Sequence, residues 1–507
     1  MNGRSSYSQV LRASSIIGGA NGLNYLVSLV RIKIIAVLLG PAGIGLVSLY
    51  TSAIGLVGTA SGLGIGSSGV REVALAFSQH DTAAIARTVR ILRRACWATG
   101  LFGWALAAAL APLISDWMSN SSEHAVAIAI LGATVFLGAI NGGQTALIQG
   151  ARRIGDIARA SIAVTLLNTV MAIGLYAWLG QRGIVPVLVA TAAVSLAVSW
   201  WFARRVPVVA VALSWPDTFV GTRRLAGLGI AFMWSGLLTA GLDIATRSLI
   251  TRELGIDAAG LYQAAWAISG LFASFILSAM GTDFYPRLTS VIHDQHIATR
   301  TVNEQTEIGM LLALPGLLGT LAFAPWMMEA FYTKQFLPGA AMLPWFVLGI
   351  FGRVVSWPLG FIQLAKGASR WFIATETVFV GLQLGMLLWT LPRFGLVGVA
   401  YTFAINYFLY ILAMFWVAKA LIGFQWSAGV KKLLMLSGLF VFASLGVTLA
   451  VPGWAATLSG GVLTLAGTIL SLRGLAVRLE PDNALLRVLN SISAGKWLIN
   501  PSRKKSR

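Results

Sequence analysis

Acidic residues are scarce in this chain of 507 residues: 17 Asp and Glu stand against 37 Lys and Arg, and charged residues total only 11%. Soluble domains carry about 25% charge. A composition that is 57% hydrophobic therefore excludes a water-exposed globule. The lone cysteine, Cys96, excludes an intramolecular disulfide and any multi-cysteine metal site. The four histidines, His293 and His296 among them, offer no zinc spacing. No metal and no cofactor is expected. The start, Met1–Val10, joins no cationic segment to a short apolar run and cleavage site, so no cleaved signal peptide is expected.

Long apolar runs fill the chain instead. A helix needs roughly 20 apolar residues to cross about 30 Å of hydrocarbon. By that rule spans fall near 14–39, 44–68, 89–113, 124–148, 158–180 and 184–203. Eight more fall near 225–250, 258–281, 308–330, 340–364, 371–391, 396–420, 432–451 and 454–473. The expected fold class is all-α: a polytopic membrane protein with about fourteen transmembrane helices. Cations such as Arg90, Arg93, Arg94, Arg152, Arg153 and Arg204 crowd alternate connections, whereas Gly40–Gly43 and Ser115–Glu123 hold none. Lys and Arg remain on the cytoplasmic side, which predicts N-in and C-in. The net charge of +20 follows from that bias, and no nucleic-acid partner is expected.

A shift of about 215 residues aligns the halves: Gly40, Gly45, Leu46, Gly55, Leu56 and Gly66 fall on Gly255, Gly260, Leu261, Gly270, Leu271 and Gly281. Ile148, Gln149, Ala151 and Arg152 fall on Ile362, Gln363, Ala365 and Lys366 at a shift one smaller. Six spans per copy give both copies the same orientation, a parallel repeat as in two-lobed transporters, where substrate sites lie between the lobes. The expected organisation is two parallel six-helix lobes plus two C-terminal helices: residues 1–205, 206–425 and 426–475, then a basic cytoplasmic tail, 476–507. Within that tail Ala484–Ser493 presents an apolar face suited to the inner leaflet. In span two, Ser48, Ser52, Gly55, Thr59, Gly62, Gly66 and Gly69 alternate four and three apart. Such a stripe of small residues serves close helix packing or a sliding seam.

Charges inside spans are expensive and mark functional candidates. In span one, Asn21, Asn24, Ser28 and Arg31 share one helix face, the pattern of a wet cavity wall. Lys33 lies roughly 200° around the helix from Arg31 and is free to snorkel outward. Span seven carries Ser235, Thr239, Asp243 and Arg247 at four-residue intervals. Acid before base at that spacing favours an internal pair; Asp243 either neutralises Arg247 or takes a coupling proton. Arg353 sits mid-span above Ser356, Gly360 and Gln363, while Glu376 has Lys366 and Arg370 within reach. Guanidinium forks grip phosphate oxygens in bidentate fashion. Arg31, Lys33, Arg247 and Arg353 are therefore the candidate pyrophosphate contacts. Trp234 and Trp266 are candidates for stacking on sugars or for anchoring at the interface.

Arg31 and Lys33, followed by Leu38-Leu39-Gly40-Pro41-Ala42-Gly43-Ile44-Gly45, resemble the opening span of the Wzx-type O-antigen translocases. These polysaccharide exporters belong to the multidrug/oligosaccharidyl-lipid/polysaccharide (MOP, MATE-like) superfamily. Lys33 matches the Wzx lysine, and Arg31 the first-span arginine of the related lipid II flippases. The stretch Phe394–Ala400 also fits, and the resemblance covers roughly residues 8–421. It implies a flippase, not an enzyme, moving an undecaprenyl-pyrophosphate-linked oligosaccharide across the bacterial inner membrane by alternating access. Membrane lipids, a polysaccharide polymerase and a chain-length regulator are the partners it implies. Fourteen spans depart from the twelve of Wzx proteins and match the lipid II flippases. The rivals are a multidrug or cation antiporter of the same fold, which needs an unpaired membrane carboxylate, and a membrane-embedded polysaccharide polymerase or ligase. The latter needs a long reactive outer loop, and neither Ser115–Glu123 nor Tyr332–Gly339 is one.

Overall fold

The computed structural model describes the backbone of residues 3–79, 81–451 and 453–478. Within these it describes every side chain except 3–18, 224, 227–232, 272–276, 278–283 and 477. The stretch Ala484–Ser493 and most of the basic tail lie outside the described residues. Among those described, the secondary structure is helical without strands. The first half runs α1 (Gly3–Gly62), α2 (Ile65–Ser78), α3 (Thr82–Ser119), α4 (Ala125–Gly150), α5 (Ile154–Leu179), α6 (Ile184–Ala203) and α7 (Trp215–Leu254). The second runs α8 (Ile256–Val291), α9 (Gln295–Ala322), α10 (Ala324–Phe331), α11 (Leu343–Ala365), α12 (Ser369–Ile422), α13 (Ala428–Ala450) and α14 (Trp454–Arg478). Nine stretches among the described residues are long and apolar enough to cross a membrane. The chain is an all-α, multi-pass membrane protein.

Glycines bend these stretches into hairpins. Gly40, at φ 63 and ψ −173, breaks α1 ahead of Pro41. The left-handed φ suits a residue without Cβ, and Pro41 opens the next helix at the position where its missing N–H costs nothing. Gly255, 215 residues on, separates α7 from α8 at φ 87 and ψ 169. A second pair repeats the device: Gly180 at φ 55 and ψ −136, Gly395 at φ 57 and ψ −144. A third pair refines the register. Arg153 N donates to Ile148 O and Arg152 N to Gln149 O, and Ala368 N to Gln363 O and Gly367 N to Leu364 O repeat that pattern 215 residues on. The backbone thus keeps the 215 shift through a turn where residue identities suggest one fewer. Hydrogen-bonded closure of the helix end, not side-chain identity, sets the turn.

Two compact units result: Met1–Gln263 with Phe331–Gln335, and Ala264–Ala330 with Phe336–Arg507. In the first, α3 packs on α4, α1 on α5, and α7 on α1, α2 and α3. Its core includes Leu49, Tyr50, Met118, Ile128, Tyr176 and Ile184. In the second, α11 packs on α12, and α9 supports α11, α13 and α14. Its core includes Phe284, Leu288, Leu359, Met414 and Phe424. Side-chain oxygens of Asp81 and Asp294 cap α3 and α9 by accepting from the second and third amides beyond them.

Candidate functional site

The polar face of α1 runs along α5. Asn24 Nδ2 donates to Ser161 Oγ at 2.7 Å, while Asn24 Oδ1 is buried without a partner. Two turns on, half-buried Arg31 lies within electrostatic reach of the Tyr176 hydroxyl. Asn21 is exposed and Ser28 half-buried. Lys33 leaves the helix elsewhere, and its ammonium donates to the backbone carbonyl of Tyr332. That carbonyl belongs to the 331–335 segment, which packs with the first unit. The two cations of span one are thus committed to different neighbours, as their angular separation on a helix requires.

Arg247, on α7, is 6% exposed and is the most enclosed of the candidate cations. Its Nη1 contacts Asp243 Oδ1 at 3.3 Å and donates to the Asp243 carbonyl at 3.0 Å. Its Nη2 donates to Gln263 Oε1 at 2.9 Å, and its Cζ lies 5.7 Å from the Tyr262 ring centroid. Nε has no partner. The Asp243 side chain remains 46% exposed, so the carboxylate, not the guanidinium, is the accessible member of the pair. Ser235 is half-buried, and the Thr239 hydroxyl turns back to the Ser235 carbonyl at 2.9 Å. Gln263 and Tyr262 have no counterpart in the sequence reading. Yet Gln263 and Arg247 each stand eight residues from Gly255, and residues equidistant from a helical hairpin turn meet across it. That arithmetic is the signal that finds Gln263.

In the second unit Arg353 is half-buried and lies, with Glu376, within electrostatic reach of the Tyr410 hydroxyl. Tyr410 donates to Glu376 Oε1 at 3.3 Å. Lys366, expected near Glu376, instead donates to the Leu421 carbonyl at 2.8 Å. Gln363, below Arg353, is buried; it accepts from Thr375 Oγ1 at 3.2 Å and donates to Met414 Sδ at 3.1 Å. The face carrying Arg353 and Gln363 is therefore held against α12. Trp266 makes edge contacts with Phe346 and Phe403, at 5.5 and 5.0 Å between centroids. Its ring is engaged by the protein, whereas Trp234 is 41% exposed.

The small-residue stripe of span two divides into packed and open parts. A Cβ on Gly45 would stand 2.2 Å from Ile256 O, and one on Gly260 only 1.9 Å from Pro41 O. These glycines, just ahead of the stripe and on α8, press two backbones together at the Gly40 turn. A Cβ on Gly55, Gly62 or Gly66 would meet nothing within 4 Å. The three instead line a cavity of about 440 Å³ with Thr99 and Thr134. Close packing thus accounts for Gly45 ahead of the run and for Gly69 at its end, where a Cβ would stand 2.6 Å from Leu92 Cδ1, and not for Gly55, Gly62 and Gly66.

Apolar helical hairpins with guanidinium groups set inside them define the class of the fold, a polytopic helical membrane protein. The structure is similar to the lipid II flippase MurJ in an inward closed conformation, with TM-score 0.69, 13% identity, and 91% of this chain and 100% of that one covered. It is also similar to an inward-facing multidrug resistance MATE family transporter, with TM-score 0.63, 17% identity, and 81% and 96% covered. The chain belongs to the polysaccharide biosynthesis protein family, whose pattern matches residues 34–341. Among named proteins it is 22% identical over 393 residues to the lipid III flippase of Escherichia coli (strain K12), covering 75% of this chain and 90% of that protein. It is 23% identical over 391 residues to a putative O-antigen transporter of Shigella flexneri, with the same coverage, 75% and 90%. Both relatives are named for transport, not for catalysis.

Proposed function

We propose that this chain is a flippase for an undecaprenyl-pyrophosphate-linked oligosaccharide, an O-antigen or exopolysaccharide repeat unit. It carries its cargo from the cytoplasmic to the periplasmic leaflet of a bacterial inner membrane by alternating access, with N- and C-termini cytoplasmic and fourteen spans. The carrying observation is family membership combined with cations set inside apolar helices, which a phosphate-bearing cargo repays and a cationic drug does not. Arg31, beside the Asn21–Ser28 face, is the first pyrophosphate contact; Lys33 and Arg353 are the further contacts. Arg247 is the contact contributed by α7, and Asp243, its ion-pair partner at 3.3 Å, is the candidate coupling carboxylate. A polymerase and a chain-length regulator are the proposed partners.

Similarity to a MATE transporter keeps cation antiport as the second reading. Asp243 and Glu376 are its candidate carboxylates, and each already has a donor or cation beside it. Deleting the chain in its host separates the readings. Lipid-linked glycan is expected to accumulate on the cytoplasmic leaflet, with surface polysaccharide lost. Normal surface polysaccharide together with heightened sensitivity to cationic drugs would overturn the flippase. Complementation with Arg31→Ala and Arg247→Ala is expected to fail at normal protein levels, and Arg31→Lys to restore part of the transport. Full transport in both Ala variants removes the pyrophosphate clamp.

A further inference from the structure

Two cavities of the first unit, of about 680 and 840 Å³, share Arg93, Trp97 and Val208. They lie on the Arg-rich side of the bilayer, where α3, α4 and α6 meet the connection from α6 to α7. Arg93 is exposed and makes no hydrogen bond or ion pair among the described residues. Arg204 is exposed and held by aromatic faces, its Cζ 3.7 Å from the Trp201 centroid and 4.9 Å from that of Trp200. Arg94 builds the wall: its Nη1 donates to Leu213 O, Ser214 O and Thr218 Oγ1, the last at 2.7 Å. Deeper in the larger cavity stands Gln144, 7% exposed, whose Oε1 is buried without a partner. A buried polar atom left unpaired is destabilising, and a ligand that bonds to it relieves that cost. Phe136, Leu137 and Leu196 supply the adjoining apolar wall.

We propose that this cleft is a binding site for an anionic glycerophospholipid of the proposed cytoplasmic leaflet. The phosphate sits between Arg93 and Arg204, the glycerol backbone reaches Gln144, and an acyl chain lies along Phe136, Leu137 and Leu196. Each part matches one chemistry of the lipid. Two guanidinium groups face the phosphate, an amide able to turn either its oxygen or its NH2 inward faces the hydroxyl or ester level, and hydrocarbon meets hydrocarbon. Positive-inside charge alone explains the arginines. It does not explain a concave site that shares its lining with a buried, unsatisfied amide. Basic pockets between transmembrane helices recognise lipid headgroups in this way.

The test is native mass spectrometry of the purified full chain, titrated with phosphatidylglycerol, with phosphatidylcholine of the same acyl chains, and with inorganic phosphate at matched ionic strength. Phosphatidylglycerol is expected to bind about tenfold more tightly than phosphatidylcholine, and Arg93→Gln with Arg204→Gln to abolish that preference. Gln144→Leu is expected to weaken both lipids alike, about threefold, since it removes the glycerol contact and leaves the phosphate contact. Lys431→Gln with Lys432→Gln, an equal loss of charge elsewhere, is expected to change neither. Melting curves with and without phosphatidylglycerol read the same site in each variant. Equal binding of the two lipids, equal losses in both double variants, or displacement by inorganic phosphate overturns the lipid site.

Discussion

Arg247 shows how much one residue's environment adds to its sequence context. The spacing to Asp243 is a feature of the helix and is legible in the chain; the hydrogen bond to Gln263 exists only because the hairpin at Gly255 closes. Hydrogen bonds to a charged group contribute about 1.5–3 kcal/mol, and losing the donor leaves Gln263 Oε1 unpaired. Arg247→Leu is therefore expected to lower the melting temperature more than Gln263→Leu. A double-mutant cycle between them is expected to give a coupling of about 1–3 kcal/mol. Additive losses would show that the contact contributes nothing. Asp243→Asn is expected to cost within about 1 kcal/mol, because its carboxylate is half solvent-accessible and such pairs are weak. Arg31 and Lys33 teach the complementary lesson. Their divergence follows from helix geometry, whereas Tyr176 and the Tyr332 carbonyl as their neighbours do not.

The helical elements are punctuated by glycines of two kinds, and residue type does not tell them apart. Gly260 meets the Pro41 carbonyl so closely that a methyl group cannot enter without moving backbone. Overpacking of that sort costs about 1–3 kcal/mol or more. Gly55 and Gly62 border open space, and alanine there changes stability by no more than about 0.5–1 kcal/mol, in the direction of helix propensity. Melting of purified Gly260→Ala, Gly45→Ala, Gly55→Ala and Gly62→Ala tests the division. The first two are expected to destabilise and the last two to hold or gain. Destabilisation of all four alike would mean that the whole run is a packing seam. The repeated turns at Gly40 and Gly255, and at Gly180 and Gly395, were partly legible because Gly tolerates φ above zero. The register at Arg152 and Gly367 was not, since hydrogen bonds of the closing turn decided it.

For the whole molecule, the scarcity of acids and the alternation of cation-rich connections predict orientation, and Cys96 makes the test simple. It is the sole cysteine and is buried, so a Cys96→Ala background admits single-cysteine scanning. Ser122→Cys is expected to react with an impermeant maleimide in intact spheroplasts, and Ala83→Cys only after lysis. The reverse pattern would invert the topology and with it the direction of transport.

By itself the sequence determined the solvent this protein lives in, its helical class, the glycines at which the helices turn and which charged residues interrupt its apolar runs. These follow from local chemistry: apolar runs of spanning length, backbone groups that must bond within each helix in lipid, and glycines where the chain must turn. Only the tertiary structure decided what each charge touches. Tyr410 reaches Glu376 from 34 residues away, and Asn24 finds Ser161 from 137 away. Such meetings depend on how helices rotate and pack in lipid, where small-residue contacts and interhelical hydrogen bonds, not a hydrophobic drive, choose the faces. Spacing along one helix carries no record of that choice.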